Sequence, residues 1–127
     1  WTPNAAADVD VSGAPNGITI EDVGSGTAEL CIDIPSDGIL FFEINIVGGS
    51  QIDLDDAGFS LNGHREDLDF ADFFFADAAG ELDFYFSVPV ELGDEFCFFV
   101  ESSETIFVDN FQFLGLISSK LFYLLYQ

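Results

Sequence analysis

The chain of 127 residues sets twenty-four acidic side chains against two basic ones, Arg65 and Lys120, for a formal net charge of −22. That balance excludes nucleic acid as a partner, because phosphates require Lys and Arg, and it disfavours anionic lipid surfaces. The length predicts one domain, and 49% apolar residues with sixteen Phe supply the core that disordered acidic chains lack.

The first segment, 1–17, is rich in Ala, Pro, Gly and Asn and reads as an arm whose alternating patch, Ala7 to Val11, can pair as an edge strand. From Ile18 the period is close to two: ITIEDV, then TAELCIDI with Ala28, Leu30, Ile32 and Ile34 on one face. GILFFEINIV follows at 38–47 with Leu40, Phe42, Ile44 and Ile46 on one face, and GFSL ends at Asn62-Gly63, a hairpin signal because both residues tolerate positive φ. The stretch DLDFADFFFADAAG reads as a strand with a bulge or as a short helical turn, with strand preferred. Three clearer strands come next, at 81–88, 94–101 and 105–113. Short strands broken by turns, in a composition favouring Phe, Ile and Val over helix formers, predict an all-β fold. The expected architecture is an antiparallel β-sandwich, jelly-roll-like, of about eight strands over 18–113.

The last segment, 114–127, is apolar on both faces around Leu121, Phe122, Tyr123, Leu124, Leu125 and Tyr126. It is too short for a transmembrane helix, which needs about 20 apolar residues. It either covers its own core or inserts into a neighbouring subunit by strand addition. Phe73, Phe74 and Phe75 cannot all point inward from an extended chain, so at least one should be exposed or covered by a partner.

Cys31 and Cys97 lack the CxxC or Cys/His spacing of a metal site and fit one structural disulfide, fastening an early strand to a late one on the acidic face; the alternative is two unrelated buried thiols. The start at Trp1, without an initiator Met or a basic stretch leading into an apolar one, has the form of a processed product or an excised domain. With the disulfide, this predicts an extracellular or cell-surface location.

A surface this negative repels itself, so metal ions, salt or a cationic partner must offset it. Calcium takes six to eight oxygen ligands, and turns rich in carboxylates are where to look. Asp53, Asp55, Asp56 and Gly58 resemble the opening of a calcium loop, although Ala57 and His64 fill its fifth and twelfth positions; the alternative is a solvated acidic loop. A second cluster is IEDVGSG, containing Glu21 and Asp22, with FVDNF, containing Asp109 and Asn110. In outline this pair resembles the calcium-stabilised jelly rolls of carbohydrate-binding modules and galactose-binding-like domains. There, an acidic residue after the first core strand and an Asp of the last strand share one structural ion. The resemblance implies Glu21 and Asp109 as ligands, with Asp22 and Asn110 as weaker ones; the alternative is a plain strand terminus.

Sugar platforms use exposed Trp and Tyr, whereas here one Trp and three Tyr stand against sixteen Phe, which favours a protein interface over a glycan cleft. His64, the sole histidine, sits in a turn without a nucleophile motif, so no reaction is expected. The function expected is that of a secreted, non-catalytic structural or adhesive subunit that assembles with copies of itself, as a filament or surface layer, with calcium neutralising its acidic faces. The alternative is a calcium-stabilised carbohydrate-binding module with a glycan ligand.

Overall fold

The computed structural model describes residues 1–12, 17–23, 26–46, 53–76, 80–116 and 123–126. Among them twelve strands run in chain order: β1 (Thr2–Pro3), β2 (Ala7–Asp10), β3 (Ile18–Asp22), β4 (Ala28–Asp33), β5 (Gly38–Ile46), β6 (Ala57–Leu61), β7 (His64–Asp67), β8 (Phe73–Ala76), β9 (Leu82–Val90), β10 (Glu95–Val100), β11 (Thr105–Leu116) and β12 (Tyr123–Tyr126). They form a five-stranded sheet in the order β1-β4-β10-β6-β7 and a seven-stranded sheet in the order β2-β3-β11-β5-β9-β8, with β12 joining β11.

The pairings β3·β11, β4·β10, β5·β9 and β6·β7 are nested and antiparallel, and they alternate between the two sheets. That nesting is the jelly roll, eight strands in two layers. The expected eight-stranded sandwich is therefore the central body, and β1, β2, β8 and β12 are additions along its sides.

Strand alternation places the core between the layers. Leu40, Phe42, Ile44 and Ile46 of β5 and Phe84, Phe86, Val88 and Val90 of β9 face Leu30 of β4, Phe59 of β6 and Phe96, Phe98 and Val100 of β10. Phe42 is central and makes ring contacts with Phe59, Phe86, Phe96, Phe98 and Phe111. Phe111 reaches this cluster because β11 carries a bulge between Asp109 and Gln112, where Asn110 adopts φ 51°. The extra residue resets which side chains of β11 face inward.

Residues 1–12 of the first segment are built into the sandwich. β1 pairs with β4, the alternating patch forms the edge strand β2, which pairs with β3, and Trp1 stacks on Phe98 with its edge against Phe111. Nor does position 113 bound a separate tail, since β11 continues to Leu116. The predicted hairpin at Asn62-Gly63 is present, with φ of 52° and 83° at the two residues. Asp67 to Phe75 holds both of the alternatives read from it: a 3-10 turn at Leu68–Phe70, capped by the Asp67 carboxylate, and then β8.

Cys31 and Cys97 are direct cross-strand partners in β4 and β10 and form a disulfide on the outer face of the five-stranded sheet, away from the Phe core. No helix among the described residues is long and apolar enough to cross a membrane.

Candidate functional site: the outer face and edge of the seven-stranded sheet

The sequence-predicted acidic residues fall in three separate places. In β3, Glu21 points outward and accepts a hydrogen bond from the Thr105 hydroxyl at 3.2 Å. Asp22 points the other way, is buried, and accepts from the Ser103 backbone N–H at 3.1 Å, which holds the β10–β11 turn where Ser102 and Ser103 have positive φ. Because Glu21 pairs with Thr105, Asp109 lies four residues further along β11, about 13 Å away at the usual strand rise. The register thus separates Glu21 from Asp109. Asp109 accepts from the backbone N–H of Asn110 at the bulge.

Asp53, Asp55 and Asp56 surround a 3-10 turn at Leu54–Asp56 leading into β6. Its backbone is engaged on both sides, by the Asp56 N–H to the Asp53 carbonyl and by the Glu101 N–H to the Asp56 carbonyl. Asp53 and Asp55 face solvent. Three ligand atoms of metal-binding type come within 4.8 Å of one another at Glu29, Cys31 and Cys97, where two of the three are disulfide sulfurs rather than thiolates.

What the register does gather is a set the sequence reading passed over. On the outer face of β5, Glu43 stands between Asp109 of β11 and Tyr85 of β9, and Asn45 stands between Phe107 and Asp83. Glu43 was hidden because GILFFEINIV reads as an apolar strand in which one Glu marks the solvent side. The buried state of this outward Glu depends on neighbours brought in by two other strands. Burial, the negative field of Glu43 and Asp83, a hydrogen bond to Glu43 and the more distant Asp109 together push the Tyr85 hydroxyl above its ordinary pKa. Beside this group lies an open groove of about 350 Å³ lined by Phe41, Glu43, Tyr85, Asn110 and Gln112.

One edge of this sheet is β8. Its sequence, Phe-Phe-Phe-Ala, pairs with β9 on one side, and Phe73, Phe74 and Phe75 are 56%, 52% and 55% exposed. Phe73 packs on Phe75 and Tyr85, and Phe74 packs on Phe84. All three anticipated interface Phe residues are thus at the surface. At the other end of the chain, Tyr123, Leu124, Leu125 and Tyr126 pair antiparallel with Leu116 to Phe113 of the same molecule. Leu121 and Phe122 lie outside the described residues. His64, at the outer strand β7, is 3.4 Å from the Glu66 carboxylate.

Comparison of the chain with protein-family models, curated proteins and solved structures finds no match.

Proposed function

We propose that the protein is a secreted, non-catalytic structural or adhesive β-sandwich subunit that assembles with copies of itself, cations such as calcium neutralising its acidic faces. The observation that supports this most is the contrast between β8 and the edge strands β1, β2 and β7. Sheet edges are normally guarded by charge, proline or brevity, since unpaired backbone groups recruit another chain. β1 has two residues, one of them Pro3; β2 presents Asp8 and Asp10; β7 is His-Arg-Glu-Asp. β8 has neither charge nor proline.

In a molecule of net charge −22, β8 offers two copies an edge at which to meet without opposing carboxylates. Antiparallel pairing centred on Phe74 sets Phe73 of each copy against Phe75 of the other and Asp72 against Ala76. Asp72 is already tied back, accepting from the Ser87 backbone N–H at 2.6 Å and from its hydroxyl at 2.9 Å. Such a contact has two-fold symmetry and closes at the dimer. In this reading, growth into a filament or surface layer uses cations between acidic faces. The disulfide supports an oxidising, extracellular setting.

The test is mass measurement across concentration, with and without calcium. The intact chain is expected to dimerise and the Phe73→Lys/Phe75→Lys double variant, altered at two exposed positions, to stay monomeric. An intact chain that is monomeric throughout would defeat the assembly reading.

A second reading, a calcium-stabilised carbohydrate-binding module, is supported by the groove, where aromatic Phe41 and Tyr85 adjoin the hydrogen-bonding groups of Asn110 and Gln112. Glycan-array binding abolished by Tyr85→Ala would favour it over the first.

A further inference from the structure

A buried carboxylate needs hydrogen-bond donors, a proton or a cation, and a buried carbonyl oxygen needs a donor or a cation. Both needs arise at one place on the outer face of the seven-stranded sheet. Glu43 is 9% exposed and Asn45 is 8% exposed. The Asn45 Nδ2 donates to Glu43 Oε1 at 3.3 Å, so the amide lies against the carboxylate; the Oδ1 of that amide is buried and accepts no hydrogen bond. Asp109 adjoins Glu43 across the strand pair, and Asp83 adjoins Asn45.

The basic groups among the described residues lie elsewhere: His64 and Arg65 are in β7, and the Trp1 amine adjoins β1, both strands of the five-stranded sheet. A proton on Glu43 would quiet that carboxylate but leave the Asn45 oxygen without a partner. A cation answers both.

We propose that this face binds one divalent cation, calcium by its chemistry, through Asn45 Oδ1 and the carboxylates of Glu43, Asp83 and Asp109. Carboxylates and amide carbonyls are its ordinary ligands, and side chains drawn from three strands suit its tolerant geometry better than the strict octahedron of magnesium. This deepens the cation part of the proposed function and is independent of pairing through β8.

Terbium(III), a hard-oxygen stand-in for calcium, provides the test. Titrated into metal-stripped protein with excitation of the aromatic side chains, it should give saturable emission that calcium displaces and magnesium does not. Tyr85, in contact with Glu43, is the sensitiser, so Tyr85→Phe should dim the emission while keeping the rise in melting temperature caused by calcium. Glu43→Gln and, as a milder change at a less buried position, Asp109→Asn should each weaken binding by about tenfold or more through loss of a charged ligand. The control Asp53→Asn/Asp55→Asn/Asp56→Asn should leave it unchanged. Emission indifferent to Glu43→Gln and Asp109→Asn, or lost equally in the control, would overturn the site. Loss of terbium binding with dimerisation retained leaves the assembly reading standing, and a saturable terbium site on a monomer leaves this one standing.

Discussion

The guanidinium of Arg65 lies over the ring of Phe99, 4.3 Å from its centroid, although the two residues are separated by the whole width of β6. The intervening position is Gly58, which pairs with both Phe99 and Asp67. A side chain there would stand in the way, and a Cβ would fall 2.2 Å from the Glu66 carbonyl oxygen. With the path open, Arg65 covers an aromatic ring that points outward from the core yet is buried, and it bonds Glu101 and the Thr27 hydroxyl beyond. A single cation thereby joins β7 to the chain just after β10 and just before β4.

Arg65→Ala should therefore lower stability by about 1 kcal/mol, a value held down by the half-exposed position of the guanidinium. Arg65→Lys should recover only part of it, since Lys lacks the planar fork that serves Glu101 and Thr27 together. Urea unfolding of the three proteins checks the order; equal stability for Lys and Arg would mean that charge alone matters there.

Phe42→Ala should cost about 3 to 5 kcal/mol, because the side chain is buried at the meeting point of five other rings and its loss leaves a cavity they cannot all close. Phe41→Ala, the next residue but on the outer face, should cost far less. Thermal or urea unfolding of the pair tests whether the core lies where the alternation puts it.

Reduction of the Cys31–Cys97 disulfide, or a double Cys→Ala replacement, should cost about 4 kcal/mol for a link that closes 66 residues. The two strands stay paired through their ladder, so the fold should survive in the cold and melt earlier. Melting with and without reductant measures the difference.

Asp94 should contribute to the pH dependence of stability in acid. Its carboxylate accepts from the Asn62 amide at 2.8 Å and from the Glu91 backbone N–H at 2.8 Å, and these bonds hold its pKa below the ordinary carboxylate value. A depressed folded pKa means the unfolded chain binds the proton more readily. The contribution is thus present above the ordinary carboxylate range and is lost as pH falls toward the depressed value. Asp94→Asn should flatten that part of the stability–pH curve; a variant as steep as the parent would show that other carboxylates govern it.

Much of this molecule is legible along the chain. The period-two pattern of Leu40, Phe42, Ile44 and Ile46 states which side of β5 is buried, and Asn62-Gly63 states where β6 turns into β7. Each feature is local: alternation follows from the pleat, and positive φ follows from the two residues that tolerate it. That at least one Phe of the triplet is exposed was legible for the same reason, as an extended run cannot send three consecutive side chains inward; that all three are exposed follows from the position of β8 at a sheet edge.

The acidic clusters behave differently. Glu21 and Asp109 belong together when read as motifs, yet the β3–β11 register sets them apart. Glu43, Asn45, Asp83 and Asp109 lie far apart in the chain and meet only because β11, β5 and β9 are neighbours. With twenty-four carboxylates, sequence proximity has little power to single out a group, whereas strand pairing selects a few. The bulge at Asn110 is similarly silent until Phe111 is seen among the core rings.

Alternation of apolar side chains, the turn residues and the charge balance by themselves determined an acidic all-β sandwich with a disulfide. Tertiary structure alone decided which strands are neighbours, and with them the unguarded edge at β8 and the buried Glu43–Asn45 pair. The physical reason is that side-chain periodicity is a property of one strand, whereas register and edge position are properties of strands brought together by the closure of the two sheets.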